Sequence, residues 1–147
     1  MSRAPGRVLG VDLGSRRIGL ALSDPGRAIA SPLSVLARAK AQVEDHRSIV
    51  AVARENEAVA IVVGLPISLS GGLGPAARAT LEEVEALQGI AGDLPVEVYD
   101  ERLTTITAER SLNEARMSRD ARRRVVDKVA AAVMLQSWLE TNRSAHE

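Results

Sequence analysis

The sequence predicts an α/β fold in which helices flank a five-stranded mixed sheet. Three observations predict it. The chain opens with short apolar segments broken by turn residues, its middle holds the continuous β-branched run Val59 to Val63, and from there strand patterns alternate with helical ones. Its 147 residues correspond to one domain, with no room for a cofactor domain beside a substrate domain.

Each element follows from local chemistry. Arg7 to Val11 and Ile18 to Ser23 are apolar runs separated by Gly14, Ser15, Arg16 and Arg17, the pattern of a hairpin. Asp24, Pro25 and Gly26 make the next turn, and a third strand falls within Ile29 to Ala37, where Pro32 confines it to a sheet edge. The start is therefore an antiparallel meander. Gln42 to Glu57 places Val43, Ile49, Val50 and Val52 among Glu44, Asp45, Arg47, Arg54 and Glu55, an amphipathic surface helix on which His46 is expected to be exposed. Val59 to Val63, closed by Gly64 and Pro66, reads as a parallel strand covered on both faces. Residues 67 to 74 form a glycine-rich loop, and Pro75 opens a helix to Leu87 with Glu82, Glu83 and Glu85 facing water. Val96 to Tyr99 is the last strand. Thr104 and Thr105 can cap a helix to about Ala115, and a final helix runs from near Ser118 to near Leu139, with Ala130, Ala131 and Ala132 giving it a low-profile surface and Trp138 as a core or docking residue.

Composition removes several kinds of chemistry. Without cysteine there can be no disulfide, thiolate metal site or cysteine nucleophile, and the interior of a cell is the expected setting. The longest apolar stretches, Ala58 to Leu65 and Val129 to Leu135, fall far short of the ~20 residues that span a bilayer, so no membrane partner is expected. The opening MSRAPGRVLG lacks the apolar segment of an export signal. Tyr99 and Trp138 are the two aromatic residues, too few for a base-stacking platform. Charge is balanced at 19 basic and 19 acidic residues, but residues 102 to 128 carry eight basic and four acidic side chains. That local excess suits phosphate contacts.

Three groups of acids stand out. Asp12 ends an apolar strand and is followed by Gly14, which admits a close backbone or phosphate; alone it would read as a turn cap. Asp100 and Glu101 stand at the carboxyl end of a parallel strand, where open α/β sheets place their ligand crevice, although one of them could simply pair with Arg102. Asp127 sits among Val125, Val126, Val129 and Ala130 in a helix, so its carboxylate is expected to face the sheet and to require a cationic partner. Acids from three separate elements suit hard cations such as Mg²⁺ or Mn²⁺. Phosphodiester hydrolysis uses two such ions about 4 Å apart, one generating and aiming hydroxide, the other stabilising the leaving oxygen. Gly72 to Ala77 matches the dinucleotide pattern G-x-G-x-x-A, but the glycines begin well past the strand and no Walker lysine follows; the loop reads as a backbone-shaping or plain connecting segment. Arg102, Arg116, Arg119, Arg122, Arg123, Arg124 and Lys128 are the candidate phosphate contacts; a solvated helix face is the plainer reading of such a run. His46 and His146 do not read as catalytic.

The segments VLGVDLGSRRIGLALSD, IVVGLPISLSGGLGPAARA, VYDERLTTITAE and DKVAAAVMLQSWLE, in this order, resemble the YqgF/RuvX family of Holliday junction resolvase-like nucleases, from about residue 7 to residue 140. The resemblance implies an RNase H-like fold, a bacterial cytoplasmic protein and a role in maturing the 5′ end of pre-16S ribosomal RNA. It assigns Asp12, Glu101 and Asp127 as catalytic and metal-holding acids, with Asp100 in reserve because the pleat of the strand is not legible in sequence. A two-ion Mg²⁺ or Mn²⁺ site is expected with it. Nucleic acid, either pre-rRNA or branched DNA, is the expected partner, with the ribosome or its assembly factors beyond that, for a monomer or a homodimer. Two other readings stand beside it. D-L-G-S before a hairpin also resembles the first phosphate loop of the actin and sugar-kinase fold, of which one domain supplies half a cleft; and the domain could bind nucleic acid without cutting it.

Overall fold

In a computed structural model the fold is described for residues 6–67, 71–104 and 119–145, excluding the side chains of 119–127 and 143–145. Strands β1 (Arg7–Leu13), β2 (Arg17–Ser23) and β3 (Ala30–Ala37) form the meander, followed by α1 (Gln42–Glu55), β4 (Ala58–Leu65), α2 (Pro75–Ala91), β5 (Val96–Asp100), a 3₁₀ turn (Glu101–Leu103) and α3 (Arg119–Ala145). The sheet order is β3-β2-β1-β4-β5, with β1 antiparallel to β2 and parallel to β4, and β4 parallel to β5. This is the mixed five-stranded sheet expected from the order of segments. The helix expected from Thr104 to Ala115 lies outside the described residues, apart from Thr104 itself, which only closes the 3₁₀ turn.

Pro32 does sit on an edge strand, where its missing N–H breaks no ladder on the open side. The pairing of β2 with β3 shifts by a residue between Leu20 and Ala21, next to it. The β1–β2 turn closes through the Gly14 N–H donating to the Arg17 carbonyl at 2.9 Å. A Cβ on Gly14 would lie 2.5 Å from that oxygen, so the close backbone approach expected at Gly14 is made by the turn itself.

The two sheet faces carry separate cores. On one, Leu9, Val11, Ile18, Leu20, Ile61 and Val63 pack against Ile49, Val50 and Ala53 of α1 and Val84, Leu87 and Ala91 of α2. On the other, Val8, Ala21, Ala60, Val62 and Tyr99 pack against Ala131, Met134, Leu135, Trp138 and Leu139 of α3. Alternation along β1 sends Leu9 and Val11 to the first face and Val8, Gly10 and Asp12 to the second. The small residues expected to give α3 a low profile act there. A Cβ on Gly10 would meet the Leu135 Cβ at 2.9 Å and the Ala131 carbonyl at 3.4 Å, so helix and strand touch nearly backbone to backbone. Tyr99 ties β5 to the same helix, its hydroxyl hydrogen-bonding Ser137 at 2.7 Å and Thr141 at 3.1 Å.

Three surface assignments are corrected. His46, expected to be exposed, is 1% accessible, and Asp45 and Glu83, expected on wet helix faces, are also buried. Arg38, just past β3, explains all three. Its guanidinium donates to both oxygens of Glu83 and to Asp45, while its Nε donates to the Gly14 carbonyl at 2.9 Å. Asp45 also accepts the Ala39 N–H at 2.8 Å, and His46 Nε2 lies 2.9 Å from Glu83. Buried charges are tolerated where each has a partner, and here α1, α2 and the segment after β3 supply partners for one another. Burial pushes the Glu83 carboxyl up, but hydrogen bonds from Arg38 and His46 and the Arg38 charge outweigh it, leaving it below the usual glutamate range.

Candidate active site

Asp12 lies at the carboxyl end of β1, half-buried, on the face covered by α3. The register Val11 with Val63 brings the step from Asp12 to Gly64 level across β1 and β4. Gly64 in turn pairs with Tyr99 of β5, and Glu101 follows two residues later. Gly64 is in step with Ala60 and Val62 of the α3-face core, so a Cβ there would point to that face, and Glu101, the first residue of the 3₁₀ turn, lies against it. Its carboxylate folds back across β4: a Cβ placed on Gly64 would lie 2.7 Å from Glu101 Oε1. Asp12 and Glu101 therefore occupy one end and one face of the sheet, as the sequence pattern anticipated.

Asp100 takes the other course. Its carboxylate accepts Arg102 Nε at 3.1 and 3.0 Å, Arg102 Nη2 at 2.6 Å and the Arg102 N–H at 2.9 Å. Those hydrogen bonds, foremost from the Arg102 side chain, hold its carboxyl below the usual aspartate range. The question the sequence left open, which of the adjacent acids pairs with Arg102, is answered where β5 ends: Asp100 pairs, and Glu101 turns towards β4. Arg102 retains an exposed guanidinium whose charge Asp100 offsets. Gly71, with φ of +88°, brings the glycine-rich loop alongside it; a Cβ there would sit 3.6 Å from Arg102 Nη1.

Asp127 lies on the backbone of α3, one helical turn before Ala131, whose carbonyl faces Gly10. Its side chain, like those of Arg119, Arg122, Arg123 and Arg124, is outside the described set, as is Arg116 altogether. Lys128 is half-buried. Among the described residues no three of His, Asp and Glu gather into a metal cage, and no helix is long and apolar enough to cross a membrane. Two residues of consequence were not singled out as site residues from the sequence. Gly64 was read only as the end of a strand, whereas it lies inside β4 under the Glu101 carboxylate. Arg38 was not noticed at all; a lone arginine after an edge strand carries no local signal.

Solved structures share this fold. The RuvC of T. thermophilus in complex with a Holliday junction substrate superposes with a TM-score of 0.57 at 17% identity, over 93% of this chain and 96% of that one. A fowlpox virus resolvase bound to Holliday junction DNA gives 0.51 at 11% identity, over 92% and 98%. Sequence relatives are far nearer. A protein of Mycobacterium sp. strain KMS named "Putative pre-16S rRNA nuclease" is 43% identical over 140 residues, 95% of this chain and 83% of its own. One of the same name from Roseiflexus sp. strain RS-1 is 41% identical over 143 residues, 97% of this chain and 100% of its own. Fold and relatives together define the class, an RNase H-like nuclease. The model of the RuvX family, described as Holliday junction resolvase, matches residues 6–141, and the chain belongs to that family.

Proposed function

We propose that this chain hydrolyses phosphodiester bonds in structured RNA, trimming the 5′ end of pre-16S ribosomal RNA in the bacterial cytoplasm, with Asp12, Glu101 and Asp127 holding Mg²⁺ or Mn²⁺. The observation that supports the reading is the placement of Asp12 and Glu101 at the same end and on the same face of the sheet. The names of relatives at 41–43% identity favour pre-rRNA as the substrate; the family description keeps branched DNA as the second substrate to test.

The residues present suit a hard cation. Asp12 and Glu101 are half-buried oxygen donors from strands on either side of β4, and neither is the acid locked onto Arg102. Divalent ions bound there would neutralise charge building up on the phosphate and its leaving oxygen. The chain's own part is to fix the carboxylates on rigid strands, and to draw in the backbone with Arg116, Arg119, Arg122, Arg123, Arg124 and Lys128. Arg102, aimed by Asp100 and flanked by Gly71, presents a planar donor at the rim. Ribosome assembly factors are further partners on this reading, and symmetric cutting of a four-way junction would require a homodimer.

The test compares wild type with Asp12→Asn on a pre-16S leader fragment and on a synthetic four-way junction, in Mg²⁺ or Mn²⁺, mapping the cut ends. Wild type is expected to cut the leader at defined positions. Asp12→Asn is expected to abolish cutting while thermal unfolding stays level or rises slightly, because one charge leaves a crowded acidic site. Full hydrolysis by Asp12→Asn would sink the proposal. Cutting confined to the junction would transfer the assignment to DNA, and salt-sensitive, EDTA-indifferent binding without turnover would mark a non-catalytic module.

A further inference from the structure

We infer that Gly64 is a positioning residue for the Glu101 carboxylate, kept free of a side chain so that acids on two non-adjacent strands can converge. The inference rests on the reading of Glu101 as a site carboxylate. Asp12 belongs to β1 and Glu101 follows β5, with β4 between them. Neighbouring strands lie about 4.8 Å apart, so β1 and β5 are separated by roughly 9–10 Å. Carboxylates rising straight from those strands would stand too far apart to serve ions spaced about 4 Å. The Glu101 side chain narrows that gap by lying over β4, and the place it covers is the missing side chain of Gly64. All three atoms nearest to a Cβ at 64 are its own: Oε1 at 2.7 Å, Cγ at 3.0 Å and Cδ at 3.1 Å.

Among the described residues nothing else at this position asks for glycine: Gly64 is not among the glycines with positive φ, it is paired with Tyr99 of β5, and it stands one residue beyond the Val11–Val63 pair on the β1 side. A glycine inside a strand weakens it and marks a close approach; here what approaches is a carboxylate. Because the obstructing atoms are the mobile end of one side chain, alanine can be accommodated if Glu101 swings away. The fold then survives while the site opens.

The test is Gly64→Ala in the full chain, alone and in a Glu101→Ala background, which lacks the Cγ, Cδ and Oε1 that lie over Gly64. Three quantities are read: hydrolysis of the pre-16S leader in Mg²⁺, calorimetric binding of Mn²⁺ alone, and thermal unfolding. Gly64→Ala is expected to lower kcat about 100-fold with KM little changed, the cost of an ångström-scale misplacement. Mn²⁺ affinity is expected to fall about tenfold, as when a ligand loses its orientation, with the unfolding temperature unchanged. In the Glu101→Ala background the same alanine is expected to cost no further Mn²⁺ affinity. Wild-type kcat and Mn²⁺ affinity in Gly64→Ala would overturn the inference, as would equal losses in both backgrounds, or a drop in unfolding temperature that accounts for the lost activity. Glu101→Gln separates the two levels: wild-type hydrolysis by that variant removes the site reading itself, whereas its inactivity beside a fully active Gly64→Ala removes only the role of Gly64.

Discussion

Glu83 shares its helix with Glu82 and Glu85, and helical periodicity alone treats the three as water-facing. What buries it is Arg38, 45 positions earlier in the chain. No local pattern can report a partner that distant, and the same holds for His46, whose partner is Glu83; Asp45 is buried by nearer partners, Arg38 and the Ala39 N–H. The network has a consequence for pH. Glu83 titrates below its unfolded value, which is about 4.3 for a free glutamate. Its contribution to stability is thus complete above that value and is lost as pH falls through the lower folded one. Urea unfolding between about pH 5 and pH 3 is expected to show wild type losing stability more steeply than Glu83→Gln. At pH 7 that variant is expected to be less stable by about 1–3 kcal/mol, because Arg38 loses one of its two buried carboxylate partners and keeps Asp45. Identical pH slopes for the two proteins would show that Glu83 is not held as described. Asp100 and Glu101 make a related point: both acids are plain in the sequence, but their roles diverge because Asp100 ends β5 and caps the 3₁₀ turn that Glu101 begins.

At the scale of elements, strand and helix order was legible because each segment carries its own local signal: short apolar runs bounded by turn residues in β1 and β2, a continuous β-branched run in β4, a proline at the start of α2. The edge position of β3 was legible for the same kind of reason, a missing N–H donor at Pro32. Less legible was how closely α3 would approach. Ala130 to Ala132 signalled a slim helix, but the strand it would meet, and the glycine in that strand, emerged only from the packing of α3 on Gly10. Gly10→Ala is expected to push α3 from the sheet and destabilise the domain by about 1–3 kcal/mol, an overpacking cost readable in the urea midpoint. Since α3 also carries Asp127, cleavage is expected to fall with it; an unchanged midpoint would mean that the helix can shift at no cost.

Taken whole, the molecule is electrically neutral yet uneven, with a net charge of +4 over residues 102 to 128. An attraction to phosphate built this way weakens with salt. Replacing Arg122, Arg123 and Arg124 together with glutamine is expected to lower the slope of log affinity against log salt for single-stranded RNA by about 2. An unchanged slope would return those arginines to the role of a solvated helix face.

By itself the sequence determined the class of fold, the order of its elements, the absence of thiol chemistry and the placing of acids where strands end, because each depends on a residue's own chemistry and near neighbours along the chain. Only the tertiary structure decided that Asp12 and Glu101 share one face, that Asp100 is spent on Arg102, that the Glu101 carboxylate lies over Gly64, and that Asp45, His46 and Glu83 lie buried beside Arg38. Those outcomes depend on strand register, pleat and long-range charge pairing, which come into being only when distant parts of the chain meet.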